Sequence, residues 1–366
     1  MTPQLVRTCS FLAEGCHFSR GPQESQTRHC ECGLNDRRKG SNSMPIPISL
    51  LVDDGAPVNP MFFHDPPYAH DLLMPNFLIR DFADLCEEYG VKGKFSVLPM
   101  PCCLGGIDGK LNHVPARHLS VFLKLVRERI APSFDITPEI LTHLAAYRME
   151  EGGFAHVYED EWVARATVEE MTDYIALALE ILAHVGLPAN GVTSPWNTGE
   201  SNESRYAQAI GHAQWRVHQR ATTWYFLHMV GNGPPRGPTV RYRDTDTGQV
   251  VVSIPAMTID PFWDTQRPMS NTLLVARSSA TKGVEMLLSA DGRQGRIPEV
   301  IQQGVPVTIL THWQSLYSDG SCAGLRGLAV LLKRLRKVYG DNLLWSTCSS
   351  LARQTSDEVL SPHSNR

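Results

Sequence analysis

Ile46-Pro47-Ile48-Ser49-Leu50-Leu51-Val52-Asp53-Asp54-Gly55 is an apolar, partly β-branched run that stops on two adjacent carboxylates and a glycine. It reads as a buried strand. Side chains alternate along a strand, so Asp53 and Asp54 point in different directions. One carboxylate can then hold a metal ion while the other faces a substrate. A solvated Asp-Gly turn would use the same residues, and the rest of the chain decides between the two. Thr193-Ser194-Pro195-Trp196 and Leu310-Thr311-His312-Trp313 are also strand-like runs that end in side chains able to do chemistry. Polar groups gathered at the carboxyl ends of successive strands are how α/β barrels build their sites.

A chain of 366 residues, 42% hydrophobic and 20% charged, has ample material for a globular core. Its formal charge of -4, with no stripe of Lys and Arg, gives no electrostatic footprint for nucleic acid. No apolar stretch approaches the ~18 residues of a membrane span, and the first residues do not form a secretion signal. Nine cysteines is an odd number, and Cys102 and Cys103 are adjacent, which argues against a full disulfide framework. A reducing, cytoplasmic setting is expected, with neither nucleic acid nor membrane as partner; oligomeric state is left open.

Residues 1–43 are rich in Arg, Ser, Gln, Gly and Cys and carry no sustained period, so they are expected to be a disordered tail or a gene-model extension ahead of Met44. Residues 44–352 are expected to form the folded domain and residues 353–366 a polar C-terminal tail. After Gly55 a proline-rich loop holds His64 and His70. Asn76–Tyr89 predicts an amphipathic helix stopped by Gly90. Val91–Leu98 reads as a strand and Pro115–Ile130 as helical. Phe134–His143 starts strand-like. Glu139 and His143 would share a face if this segment were helical; alternatively His143 caps a strand and points into a site. Thr167–His184 is helical, Gly191–Trp196 a short strand, and Asn202–Met229 largely helical. Val240–Ile254 holds two strand runs joined through Asp244–Gly248. Val305–Leu310 is a strand, Leu325–Val338 a basic-faced helix and Leu343–Thr347 a last strand. Strands alternating with helices argue for parallel βαβ units.

In this order the pieces resemble the polysaccharide deacetylase (NodB-homology, carbohydrate esterase) family over residues 46–350. Leu51-Val52-Asp53-Asp54-Gly55 stands where that family has T-F-D-D-G, and Gly90–Phe95 is similar to its second strand. Pro138–His143 resembles the run into its first metal histidine. Thr193–Trp196 stands at its R-x-P-[YW] strand end, and Leu310-Thr311-His312 matches its L-x-H motif. The resemblance implies an α/β fold, an irregular (β/α) barrel of roughly seven or eight parallel strands. It implies a hydrolase that removes an N- or O-acyl group from a carbohydrate or a related small metabolite. Asp54 and His143 would hold a divalent metal, zinc by expectation, with Asp53 as base and His312 as proton donor. Trp196, Trp263, Trp313, His64 and His70 would line the substrate.

Two departures stand out. The family's second metal histidine falls at Tyr147, a poor ligand while its phenol stays protonated. Its motif arginine is replaced by Thr193. A loop histidine, His64, His70 or His118, is one candidate for the missing ligand. Asp260-Pro261-Phe262-Trp263 loosely resembles the family's D-x-x-D-W element. Two other function classes remain open from the residues. One is a glycosidase pairing Asp53 with Asp260 or Asp264; the other is a non-catalytic carbohydrate-binding barrel whose tryptophans stack on sugar rings.

Overall fold

The computed structural model describes residues 45–63 and 69–360. The expected N-terminal tail and His64 lie outside the described residues. Strand β1 (Ile46–Asp53) leads through helix α1 (Asn76–Tyr89) to β2 (Gly93–Val97), and α2 (Ala116–Leu125) leads to β3 (Phe134–Pro138). A small antiparallel pair, β4 (Ala145–Tyr147) and β5 (Phe154–Tyr158), and the short helix α3 (Glu159–Arg165) follow. Then come α4 (Val168–His184), β6 (Val192–Thr193), α5 (Glu203–His218) and β7 (Thr222–Phe226). Strands β8 (Thr239–Asp244) and β9 (Gln249–Ser253) form the expected hairpin. The chain ends with α6 (Leu273–Leu287), α7 (Arg296–Gln302), β10 (Val307–His312), α8 (Trp313–Tyr317), α9 (Ala323–Tyr339), β11 (Leu343–Trp345) and α10 (Cys348–Leu360).

Two parallel arrays make the barrel. One runs β10-β1-β2-β3, and the other β6-β7-β9 with β8 antiparallel on its edge. They join where Glu139 bridges Thr193, with the Ile140 N–H donating to the Thr193 carbonyl at 3.0 Å. On the far side the chain beyond β9 runs along β10. There the Met257 N–H donates to the Thr308 carbonyl at 2.9 Å, and the Leu310 N–H to Thr258 Oγ1 at 3.0 Å. The result is the expected irregular barrel of parallel strands wrapped by helices.

Alternation along β1 divides the core. Leu50 and Val52 join the helix-facing cluster, whereas Leu51 packs inward with Trp224, Phe226, Val252 and Leu310. Cys348, Leu351 and Ala352 of α10 complete that inner cluster, and the Ser349 N–H bonds Asp135 near the start of β3. Helix α10 is therefore the apolar floor of the barrel at the amino ends of the strands. This corrects the expected tail from residue 353, because the helix runs on to Leu360. The expectation of one helical stretch over 202–229 is also corrected. Helix α5 ends at His218, Gln219 adopts φ 54°, and the β-branched and aromatic Thr222–Phe226 enters the sheet instead.

On β2 the same alternation turns Phe95 toward Phe82 and Trp313 in the helix layer, and Lys94 and Ser96 into the barrel. Gly93 lets β2 lie this close to β1, because a Cβ there would meet the Leu50 carbonyl oxygen at 1.8 Å. Gly93→Ala is expected to lower stability by about 3 kcal/mol. Urea unfolding of the variant beside the wild type measures it, and an unchanged midpoint would show that β2 can retreat freely.

Candidate active site

The register of β1 against β10 sets Asp53 opposite His312 at the carboxyl ends of the two strands. Asp53 is inward-facing like Leu51 and only 4% exposed. Its Oδ1 is ion-paired with the Nζ of Lys94, itself fully buried. Burial pushes the Asp53 carboxyl up, against the pull of Lys94. Asp54 turns the other way through a left-handed backbone, φ 63°. His143 (φ 55°) and Trp196 (φ 48°) take the same unfavourable conformation at the same mouth. Such residues cost about 1–3 kcal/mol each and gather where a site holds them.

Asp54, Glu139 and His143 form one cluster, with a ligand atom from each lying within 4.8 Å of the others. Glu139 is held by two donors on one oxygen: Oε2 accepts from the Asp54 N–H at 2.7 Å and from Ser96 Oγ at 2.6 Å. Its Oε1 is left 3.5 Å from His143 Nε2. His143 Nε2 also lies 3.1 Å from Asp54 Oδ1, yet no donor is aligned on that buried oxygen. Asp54 Oδ2 accepts from Gln314 Nε2. Burial and the neighbouring charge of Asp54 push the Glu139 carboxyl up. Two crowded carboxylates, one with an orphaned buried oxygen, and an imidazole are a donor set that fits a divalent cation.

The loop bearing His143 is organised by a residue the sequence reading did not single out. Fully buried Glu159, at the start of α3, accepts from the N–H groups of Leu141, Thr142 and His143 at 3.2, 2.9 and 2.8 Å. It also accepts from the Tyr174 hydroxyl at 2.8 Å, and burial raises its carboxyl to about 7. A local spacing rule could not find Glu159, because its partners are backbone groups of a loop that has no period.

Across the cleft, His312 Nδ1 lies 2.9 Å from Asp260 Oδ2. Asp260 Oδ2 also accepts from the His312 N–H at 3.0 Å and Ser315 Oγ at 2.6 Å, and Oδ1 accepts from the Phe262 N–H at 2.8 Å. Burial opposes the charged ring, but the Asp260 bond and the charges of Asp54, Asp260 and Asp53 raise His312 to about 10. Trp263 meets the ring edge-on, 4.9 Å between centroids.

Asp53, Asp54, Glu139, His143, Trp196, Trp263 and His312 all line a cleft of about 530 Å3. A hollow of about 420 Å3 adjoins it at His143 and Trp196, and one of about 670 Å3 at Met229, Trp263 and His312. Trp313 is not in the cleft, which corrects the expectation for it. It is fully buried, edge-on to Phe82 and Phe95, because as the first residue of α8 it turns into the helix layer. His70 is exposed and is not among the described residues lining the cleft. His118 is tied to the Pro57 carbonyl and Asn76, and Tyr147 packs on Phe154, so neither joins the cluster.

No family model matches the sequence, and no curated protein matches it. Among solved structures, the chain is similar to a glycoside hydrolase/deacetylase from Parabacteroides distasonis, with a TM-score of 0.50 and 9% identity. That likeness covers 86% of this chain and 72% of the other. The two share the fold of an irregular β/α barrel. A second similarity, to a structure assigned to a polysaccharide deacetylase of Mycobacterium smegmatis, has a TM-score of 0.48 and 11% identity. It covers 87% of this chain and 93% of that one. No helix among the described residues is long and apolar enough to cross a membrane.

Proposed function

We propose that the chain is a hydrolase that removes an N- or O-acyl group from a carbohydrate or related small metabolite. The single observation that carries the reading is the pairing of Asp53 and His312 side by side at the ends of β1 and β10, in a cleft that the Asp54, Glu139 and His143 cluster also lines. Asp54, Glu139 and His143 would hold a divalent cation, which when bound supplies Lewis acidity to an acyl oxygen and to water. Glu139 thus takes the place left open by Tyr147. Two carboxylates and one imidazole accept zinc and also the more oxygen-seeking manganese.

The remaining work falls to the chain's own groups. Asp53, kept basic by burial, takes a proton from the attacking water. His312, charged at neutral pH and anchored through Nδ1, gives a proton from Nε2 to the leaving nitrogen or oxygen. The indoles of Trp196 and Trp263 offer apolar faces to a sugar ring. Every oxygen of Asp260 is already engaged, which argues against a glycosidase that pairs it with Asp53.

The purified protein, stripped with chelator and reloaded with zinc or manganese, should release acetate from p-nitrophenyl acetate or N-acetylated chitooligosaccharides. Release should stop on stripping and return on reloading. A protein that binds the cation stoichiometrically yet releases no acetate from either probe would refute the reading.

A further inference from the structure

We infer that Lys94 is a positioning residue for the reaction, a buried cation that fixes the Asp53 carboxylate for proton abstraction; the inference rests on the hydrolase reading above. Lys94, the second residue of β2, projects into the barrel and has no exposed surface. Its Nζ is ion-paired with Asp53 Oδ1, donates to Thr193 Oγ1 at 2.8 Å and lies 4.9 Å from the centre of the Phe226 ring. The amine is thus seated against β1, β6 and β7 at once, and Thr193 Oγ1 is in turn 2.9 Å from Thr137 Oγ1 of β3.

A buried ammonium is a poor device for stability. An apolar pair of similar volume often serves a core as well or better, whereas a half-removed ion pair is costly. The charge makes sense where the carboxylate itself has a task. Lys94 ties Oδ1 and leaves Oδ2 of Asp53, a residue lining the cleft, for the water. Among the described residues no lysine or arginine touches Asp54, whose side chain meets Gln314 and His143. Ser96, two residues along on the same face of β2, does the matching service for Glu139. One strand therefore aims a separate donor at each of two carboxylates.

The test moves the charge rather than only deleting it. Lys94→Met should cut kcat about 100-fold, the scale of a misplaced catalytic group, with KM within about twofold. Zinc affinity by titration calorimetry should stay at the wild-type value. Lys94→Ala with Thr193→Arg, which returns a cation from the opposite side of the same space, should recover at least a tenth of the wild-type kcat. A folded Lys94→Met enzyme with wild-type kcat overturns the inference, as does a zinc affinity lost together with the rate. If the wild type hydrolyses neither probe, the hydrolase reading fails separately and a thermal cycle decides. Lys94→Met and Asp53→Asn should each lower Tm and together lower it by less than their sum; additive losses would dismiss Lys94 as Asp53's holder. Should Lys94→Met alone fail to fold, its recovery in the double variant is the same supporting result, and failure of both overturns it.

Discussion

Asp54→Ala is expected to abolish hydrolysis and to weaken cation binding by more than ~100-fold, since a site with three protein ligands cannot spare one. The effect should not come from unfolding. The charge of Asp54 crowds Glu139, so its removal relieves that repulsion, which offsets the cost of placing alanine in a left-handed backbone at φ 63°. Metal content and Tm measured on the same preparation separate the two causes. A variant that keeps a stoichiometric cation would show that Asp54 is not a ligand.

Asp53→Asn should behave in the opposite way, keeping the cation and losing ~10²–10⁴-fold in rate, the usual contribution of a positioned base. The structure adds a complication. With the carboxylate gone, Lys94 becomes an uncompensated charge in a fully buried place, at a cost of about 3–5 kcal/mol. Rates must therefore be compared well below the lowered Tm. The double variant Asp53→Asn/Lys94→Met should regain much of the stability and none of the rate. If Asp53→Asn alone retains full activity, the base lies elsewhere.

The parts of the molecule legible in the sequence were those with a local physical signature. Helix α1 ends where Gly90 takes its left-handed turn, φ 66°, and the β8–β9 hairpin falls between two runs of β-branched residues. The carboxylate end of β1 was legible for the same reason. What escaped depended on long-range placement. Thr222–Phe226 follows a helix closely in sequence and reads as its continuation, because its partners in β6 and β9 are not local. Glu139 was seen only as a helical neighbour of His143. In the structure, left-handed turns at Ile140 (φ 41°) and His143 bend an extended loop so that the two still converge. Lys94 sat in plain view on β2. Only the pairing of β1, β2 and β6 across the interior shows that it is the cation beside Asp53. Trp313 shows the converse error. An aromatic next to a site residue suggests a site wall, yet strand-to-helix geometry sends it into the core.

The pairing of β1 also bears on how the protein is made. Residues 48–53 hydrogen-bond to residues 307–312, and residues 46–48 to residues 343–345. During synthesis at ~5–20 residues per second, β1 leaves the ribosome roughly 10–50 s before these partners exist. Pairings of such sequence separation close slowly, and an apolar strand left waiting is open to aggregation. The two aspartates are thus put in place in the last act of folding, and a nascent chain that stops short of β10 never assembles the cleft.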